Sequence, residues 1–192
     1  MTAAESGGKA ESGWKESLVA LIPNLRAFAV FLCGNPARAD DLVQETLLKA
    51  WEHQASFREG TNLRAWLFTI LRNTFFSDCR RRKREVEDGD GAWAAGLAVH
   101  PGQQGAADLS DLHAALLQLA DEQREALILI GAAGFSYEEA AIVCGCAVGT
   151  VKSRVNRART KLGELMGVAG ADDFGPDPTS TAILSRGESP QR

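Results

Sequence analysis

One segment near the C-terminal end carries the side chains best suited to contact nucleic acid. At 100° per residue most of its cations and short polar groups lie away from an apolar stripe, whereas Arg154 flanks the stripe. The stripe is Val148, Val151, Val155, Ala158, Leu162 and Leu165. Cations can neutralise phosphates, and shorter polar groups can reach base edges in a major groove. The candidate contacts are Lys152, Ser153, Arg154, Asn156 and Arg157. A solvated basic face is the alternative interpretation for such a helix taken alone.

A capped helix and a glycine turn precede this segment. Ser136 is a favourable N-cap and Glu139 completes a capping box, so a helix is predicted to begin at the next residue. Gly145 ends that helix, because glycine reaches the left-handed conformation at low cost. A second helix is predicted from near Ala147 to about Met166. The pair is typical of a helix-turn-helix and favours DNA over a merely solvated face.

A second set of cations lies at the end of the first half of the chain, in the run Arg80–Arg84. Phe75 and Phe76 precede this run. Aromatic rings beside arginines suit single-stranded bases, which stack on the rings while cations hold the backbone. In the alternative interpretation both phenylalanines are core residues and the arginines only solubilise a helix end. The residues alone leave both interpretations open.

The segment from Pro36 to about His53 is predicted to be an amphipathic helix with an acidic exposed face. Its predicted buried residues are Ala39, Val43, Leu47 and Ala50. The opposite face carries Asp41 and Glu45, with Leu48 standing among acidic residues. One exposed leucine is ordinary in a soluble protein. An acidic face with an apolar centre is also a compact protein-docking surface, so both interpretations remain.

The helical patterns divide the chain into two units, and the predicted fold class is all-α. We expect a disordered N-terminus over 1–13, a helical domain over 14–84, a flexible acidic linker over 85–107, a second helical domain over 108–166 and a disordered tail over 167–192. The first domain should contain a short helix over Trp14–Ile22 and a new helix beginning at Pro23. Thr61 is the predicted cap of a helix that runs to about Arg84.

Composition limits the remaining function classes. The chain has 192 residues and a formal net charge of −4, so it is not a generally basic nucleic-acid binder. No Gly-rich phosphate loop, HExxH or GxSxG motif is present, and we expect no enzymatic activity. Cys144 and Cys146 lack a second cysteine pair, so neither a metal nor a cofactor is expected. We find no secretory signal and no apolar run that approaches membrane-spanning length, which predicts a cytoplasmic protein without membrane contact.

Three segments in this order resemble the signature segments of the extracytoplasmic-function sigma factors of RNA polymerase. They are DDLVQETLLKAW, LRAWLFTILRNTFFSDCRRRKRE and FSYEEAAIVCGCAVGTVKSRVNRARTKL, and the resemblance spans roughly Lys15 to Met166. Within this family, the EcfG-like general stress response type is similar to this chain in the segments GTNLRAWLFTILRN, RKREVED and CGCAVGTVKSRVNRAR. The resemblance implies a two-domain factor, with sigma region 2 and region 4, that directs core RNA polymerase to promoters.

The same resemblance implies a role for each group of candidate residues. Core polymerase would bind Asp41, Gln44, Glu45 and Leu48. The −10 element would be opened and read by Asn62, Arg64 and Asn73, while Arg80, Arg81 and Arg82 would hold adjacent phosphates. The −35 element would be read by Lys152, Ser153, Arg154, Asn156 and Arg157.

The resemblance also implies the partners. They are core RNA polymerase, through its β′ clamp and β flap, promoter DNA, and an anti-sigma factor of the NepR type. Two other functions remain as alternatives. A stand-alone helix-turn-helix regulator would leave the acidic helix and the first basic run without a role. A sigma-like decoy, or anti-anti-sigma module, could share the scaffold without keeping both basic DNA surfaces.

Overall fold

The structure is a computed structural model that describes residues 3–58, 60–87 and 104–167, with side chains for 13–58, 60–84 and 110–167. The described part consists of helices joined by short turns and contains no strand. In chain order the helices are α1 (Ala3–Cys33), α2 (Pro36–Glu52), α3 (Leu63–Glu87), α4 (Gln104–Leu117), α5 (Asp121–Gly131), α6 (Tyr137–Cys144) and α7 (Val148–Met166), with a single 3-10 turn at Gln54–Ser56. The all-α prediction is confirmed.

Helices α1, α2 and α3 form the N-terminal unit. Asn35 caps α2, since its side chain accepts a hydrogen bond from the Arg38 N–H, and Pro36 occupies the first helical position. The centre of the unit is aromatic and aliphatic, with Phe28 of α1 lying 4.9 Å from Phe68 of α3 between ring centroids. In α2 the predicted buried residues Ala39, Val43 and Ala50 are buried, together with Leu42 and Thr46; Leu47 is only half-buried.

The N-terminal helix differs from the expectation in two respects, since α1 begins at Ala3, within the range 1–13 expected to be disordered, and continues through Pro23. Pro23 does not begin a second helix but lies inside the continuous helix α1, which begins at Ala3. Proline removes one N–H from the helical ladder and normally kinks or breaks a helix. Tertiary packing outweighs that cost, because Leu25, Phe28 and Leu32 follow directly and are all buried in the core.

Helices α4 to α7 form the C-terminal unit, and the predicted helix-turn-helix is confirmed within it. Ser136 and Glu139 form the capping box at the start of α6. Gly145 has a φ of 62°, in the left-handed region, and its N–H closes the end of α6 onto carbonyls of that helix. On α7 the residues Val151, Val155, Ala158 and Leu162 are buried, whereas Val148 and Leu165 are half-buried.

The two units share one hydrophobic core. Buried residues of α1 and α3 form a continuous cluster with buried residues of α5, α6 and α7. Phe68 and Phe135 meet edge to face at this boundary, with ring centroids 4.9 Å apart. At the other end of α1, Phe31 lies 5.9 Å from the His113 ring of α4. The described units are therefore packed together.

Parts of the predicted domain plan lie outside the described residues. The expected acidic linker over 85–107 falls mostly in 88–103, and the expected tail over 167–192 falls in 168–192, beyond the cap residue Gly167. Helices α3 and α4 both extend into the range 85–107 that was predicted for the linker. Helix α3 continues to Glu87 and α4 begins at Gln104.

One described segment meets the length and composition of a membrane span. The segment is Gly13–Cys33, so the expectation that no apolar run approaches that length is corrected. A core helix of a soluble protein passes the same test. In this fold Leu25, Phe28 and Leu32 of the segment are buried against the other helices.

Gly34 is expected to be important for the stability of the packed units. It has a φ of 68°, and a Cβ at this position would lie 2.8 Å from Leu117 Cδ1. Gly34→Ala should therefore incur the left-handed penalty of about 1–2 kcal/mol plus the cost of displacing Leu117. Gly134→Ala is the matched control, since Gly134 has a φ of 67° and nothing within 4 Å of its Cβ position. Chemical denaturation should show the larger loss for Gly34→Ala; equal losses would contradict the close approach of α4.

Candidate nucleic-acid and protein interfaces

The second helix of the helix-turn-helix presents most of its predicted contact residues to solvent. Lys152, Ser153, Asn156 and Arg157 are exposed on α7. Arg157 Nη2 donates to Ser153 Oγ at 2.7 Å, one helical turn away. This bond holds the guanidinium along the helix, so a cation and short polar groups form one surface of a size that fits a groove.

Arg154 is placed differently from these four residues. It is half-buried, and its Nη1 lies 3.8 Å from the Sγ of Cys146 in the turn before α7. Its charge also acts on the buried carboxyl of Glu125 in α5. In this arrangement Arg154 faces the interior of the C-terminal unit rather than the exposed surface of α7.

The acidic helix exposes the four residues expected to dock a protein. Asp41, Gln44, Glu45 and Leu48 are all exposed, and Leu48 retains 64% of its accessible surface. Glu45 Oε1 pairs with Lys49 Nζ at 2.7 Å.

Sequence reasoning missed an apolar neighbour of this acidic surface. Trp51 is 50% exposed, three residues after Leu48 and hence on the same helix face. The Lys15 ammonium lies 5.3 Å from its ring centroid. In the sequence, the i, i+3 spacing of Leu48 and Trp51 indicated that both residues lie on one helix face.

The first basic run is held by its own helix and lies beside the acidic helix. Arg81 Nη2 donates to Asp78 Oδ1 at 2.8 Å, and Arg82 pairs with the other oxygen of Asp78. Arg80 donates to Ser77 Oγ at 3.1 Å. A cleft of about 190 Å³ is lined by Arg81 and Arg82 together with Asp41 and Glu45 of α2. Opposite charges therefore meet across one cleft.

The two aromatic residues before the run have different environments. Phe75 is 4% exposed and belongs to the core, which favours the structural interpretation for that ring. Phe76 is half-buried, and the Arg72 guanidinium carbon lies 4.8 Å from its centroid. Phe75 is therefore too buried for a base to stack on it, and Arg72 covers one face of Phe76.

Asn62 rather than Thr61 caps α3. The Asn62 Oδ1 accepts from the Ala65 N–H at 3.0 Å, whereas the Thr61 hydroxyl donates backwards to the Arg58 carbonyl at 2.7 Å. The predicted Thr61 cap was therefore wrong by one residue, because asparagine caps at least as well as threonine. The Asn62 Nδ2 donates to Glu139 Oε1 of α6 at 2.8 Å.

The remaining −10 candidates on α3 are divided between the unit boundary and solvent. Arg64 donates to the carbonyl of Ala133, and its guanidinium carbon lies 4.2 Å from the Phe135 ring centroid. Asn73 is exposed, and its Oδ1 accepts from Arg72 Nη1 at 3.2 Å. Two of the three residues expected to read the −10 element thus contact the C-terminal unit.

The strongest electrostatic feature of the boundary was not anticipated from the sequence. Arg72 Nε of α3 donates to Glu125 Oε1 of α5 at 2.7 Å, and the Glu125 side chain is completely buried. Burial raises the pKa of Glu125 to about 7, although Arg72, Arg154 and the Cys144 thiol all favour its charged form. Burial, followed by the charge of Glu125, raises the pKa of Cys144 to about 12. The thiol therefore stays protonated beside the carboxyl.

No group of three or more His, Cys, Asp or Glu side chains among the described residues is arranged to hold a metal ion. The candidate residues instead form three surfaces suited to macromolecules. These are the exposed surface of α7, the acidic surface of α2, and the α3 surface that runs from Asn62 to Arg82.

Comparison with known proteins identifies both units. Residues 18–85 match the family model for sigma-70 region 2, and residues 109–162 match the model for sigma-70 region 4. The chain is 59% identical over 170 residues to the ECF RNA polymerase sigma factor EcfG of Rhodopseudomonas palustris. That alignment covers 88% of this chain and 94% of the relative.

Two solved structures share the arrangement. The sigma factor RpoE in complex with the anti-sigma factor NepR from Bartonella quintana is 56% identical, with a TM-score of 0.76, and the match covers 82% of this chain and 99% of that one. A complex of the anti-anti-sigma factor PhyR with NepR, also from Bartonella quintana, matches at 16% identity and a TM-score of 0.52, covering 90% of this chain and 58% of that one. The match to PhyR shows a similarity of fold alone.

The buried carboxyl predicts a specific pH dependence of stability. Its pKa is raised from 4.5 to about 7 in the folded chain, so its stabilising contribution is complete below 4.5 and is lost as pH rises to about 7. Because one pKa unit corresponds to ~1.4 kcal/mol, wild-type stability should lose about 3 kcal/mol in this window relative to Glu125→Gln. Urea denaturation at pH 4.5 and pH 7 measures the difference, with the exposed Glu122→Gln as control. Parallel profiles for wild type and Glu125→Gln would refute the assignment.

Proposed function

The chain belongs to the extracytoplasmic-function sigma factors of RNA polymerase, and from this premise we propose how its surfaces divide promoter recognition. The chain is a sigma factor that directs core RNA polymerase to promoters. Such factors confer initiation specificity on the polymerase and are not themselves enzymes. The observation that carries the proposal is the presence of two separate cationic surfaces, on α3 and α7, together with an exposed acidic surface on α2.

Helix α7 is assigned to the −35 element. Lys152, Ser153, Asn156 and Arg157 form an exposed polar surface that fits a major groove, in which cations hold phosphates and shorter groups reach base edges. Arg154 belongs to the same sequence motif but is half-buried, so we assign it to positioning α7 rather than to base contact.

Helix α3 and the residue before it, Asn62, are assigned to the −10 element. Asn62, Arg64 and Asn73 would hold unpaired bases, and binding of such bases offsets an unstacking cost of a few kcal/mol per base. The run of Arg80, Arg81 and Arg82 would contact adjacent phosphates. Melting in this scheme is achieved by capturing unpaired bases and requires no catalysis.

Helix α2 is assigned to core polymerase. Asp41, Gln44, Glu45 and Leu48 form an acidic surface with an apolar centre, and Trp51 extends the apolar part. The β′ clamp is the proposed partner for this surface, and the β flap for the C-terminal unit. Since the net charge is −4, tight DNA binding depends on polymerase, which brings the second DNA contact to high effective concentration.

The relatives suggest the pathway and the inhibitor. We assign the chain to general stress response promoters because of its likeness to EcfG. An anti-sigma factor of the NepR type is the proposed inhibitor, by analogy with the RpoE complex. Action on RNA polymerase implies a cytoplasmic location.

An anti-anti-sigma decoy is the competing proposal, because PhyR shares the fold. A decoy needs the inhibitor-binding shape but not two DNA surfaces. The exposed cations of α7 and the arginine run of α3 therefore favour the sigma factor, as does the 59% identity to EcfG.

Run-off transcription separates the alternatives. Purified chain and core polymerase should produce a transcript from a stress-type promoter, and changing either the −35 or the −10 element should abolish it. A decoy gives no transcript with any promoter. A stand-alone regulator binds the duplex tightly without polymerase, which a gel shift would detect.

Charge reversal on α2 tests the docking assignment. Glu45→Lys should weaken binding to core polymerase, because it removes an acidic contact from an exposed surface without disturbing the buried side of the helix. Glu122→Lys is the control, with the same charge change at an exposed position of α5, which does not contact α2. Fluorescence anisotropy with core enzyme gives both affinities, and we expect at least a tenfold loss, ~1.4 kcal/mol, for Glu45→Lys. Equal affinities of Glu45→Lys and wild type would exclude Glu45 from the interface.

Removal of one guanidinium tests the −35 assignment. Arg157→Ala should reduce discrimination between the correct and an altered −35 element by about 1–3 kcal/mol, the usual value of a bidentate base contact. Lys161→Ala is the control, since Lys161 pairs with Glu164 at 3.1 Å near the end of α7. Transcription from the two promoter variants measures the effect. An unchanged preference in Arg157→Ala would limit Arg157 to phosphate contact at most.

A further inference from the structure

Three aromatic side chains meet at the loop that leads into α3. Trp14 of α1, Phe57 of the loop and Trp66 of α3 are all half-buried. Their ring centroids lie 5.2 Å apart for Trp14–Phe57, 5.8 Å apart for Trp14–Trp66 and 5.4 Å apart for Phe57–Trp66, and each pair is tilted. Tilted rings at such spacings attract each other in addition to burying apolar area. We name these three residues the aromatic triad.

Phe57 attaches the loop to the helices. Among the loop residues that the structure describes, Phe57 is half-buried, whereas Arg58, Gly60 and Thr61 are exposed. The Thr61 hydroxyl and N–H donate to the Arg58 carbonyl at 2.7 Å and 3.1 Å, so these bonds close a turn inside the loop. The Phe57 ring therefore determines where that turn lies relative to α1 and α3.

The aromatic triad adjoins a residue that the proposed function assigns to the −10 element. The Trp66 N–H donates to the Asn62 carbonyl at 3.1 Å, which places the two residues one helical turn apart. Asn62 also follows the loop directly, and its Oδ1 caps α3. A shift of the loop would therefore move the side chain proposed to hold an unpaired base. Side chains that bind a ligand depend on packed neighbours to keep them in position.

The same end of α1 also contacts the docking helix. Lys15 follows Trp14 in the chain, and its ammonium lies 5.3 Å from the ring centroid of Trp51. Trp51 is 50% exposed and lies beside Leu48, in the surface assigned to core polymerase. Two consecutive residues of α1 thus contact α2 on one side and the loop before α3 on the other. This end of α1 therefore helps to fix the loop relative to the surface that would hold polymerase.

The contribution of Trp14 comes from its ring rather than from its indole N–H. The Trp14 Nε1 atom is buried and has no hydrogen-bond partner among the described residues. A buried donor without a partner lowers stability, so a phenylalanine could supply the ring without that cost. Replacement by another aromatic residue and by an aliphatic residue should therefore have different consequences.

We propose that Trp14 is a positioning residue for recognition of the −10 element, because its ring holds Phe57 and Trp66 and thereby fixes the loop and Asn62. This inference rests on the proposed function of Asn62. In this scheme Trp14 contacts no base and acts through the other two rings. Trp14 also precedes residues 18–85, so the match to sigma-70 region 2 assigns it no role.

Run-off transcription with core polymerase and paired promoters tests the role of Trp14. Trp14→Leu keeps an apolar side chain but removes the ring, so the ratio of transcript from the correct to that from an altered −10 element should fall about tenfold. With the factor limiting, a smaller folded fraction lowers both transcripts equally and leaves this ratio unchanged. Trp14→Phe restores a ring and should return the ratio to the wild-type value. The corresponding ratio for the −35 element should not change in either variant.

A second aromatic residue of α1 provides the matched control. Phe31 is half-buried like Trp14, but its ring meets the His113 ring of α4 instead of the loop. Phe31→Leu should therefore leave the −10 ratio unchanged. Phe57→Leu removes the ring contact from the loop side and should reproduce the loss. It carries the test should circular dichroism show that Trp14→Leu does not fold.

The possible results separate this inference from the proposed function. A wild-type −10 ratio in folded Trp14→Leu or Phe57→Leu would overturn the inference, as would an equal fall of the −35 ratio. A loss that Trp14→Phe does not reverse would refute the ring contact as its cause. If the wild-type chain gives no transcript, the proposed function fails and this inference fails with it. If the wild type and Trp14→Leu select the −10 element equally, only the role of Trp14 is refuted.

Discussion

The contact between Phe68 of α3 and Phe135 at the start of the helix-turn-helix is the interaction on which the whole arrangement depends. It joins two small helical units, each with few buried residues, into one continuous core. A small unit buries a low fraction of its surface and gains stability from any partner that extends its core. The partner here is the other half of the same chain. As a consequence, the surface of α3 that gains most by burial is also the surface proposed to capture unpaired bases.

Charge placement explains how an acidic chain can be a DNA-binding factor. The net charge of −4 gives no general attraction to phosphates, yet the cations concentrate on α7 and at the end of α3. Near α3 they are partly neutralised within the fold, because Asp78 pairs with both Arg81 and Arg82 and the acidic helix lies across the same cleft. We therefore expect low affinity for DNA from the chain by itself, and specificity when polymerase brings both cationic surfaces to one promoter.

Local signals in the sequence were sufficient for the helices and insufficient for the boundary. The capping box at Ser136 and the left-handed Gly145 depend on neighbours a few residues away, and both were predicted correctly. Thr61 failed as a cap because the adjacent Asn62 competes for the same role and also finds a partner on α6. The Arg72–Glu125 pair joins residues 53 positions apart, and nothing in either local pattern indicates the other. Glu125 had a weak signal only, as an acidic residue beside the apolar run that follows it in α5.

The buried carboxyl of Glu125 has charged neighbours in both units. Breaking a buried ion pair is costly mainly when one charge is left buried without a partner. Two arginines act on Glu125: Arg72 from the N-terminal unit, and Arg154 from α7 within its own unit. Without Arg72, Glu125 would keep Arg154 and the Cys144 thiol beside it. Glu125 therefore links the two units, since Arg72 of α3 donates to it and Arg154 of α7 acts on it from within the C-terminal unit.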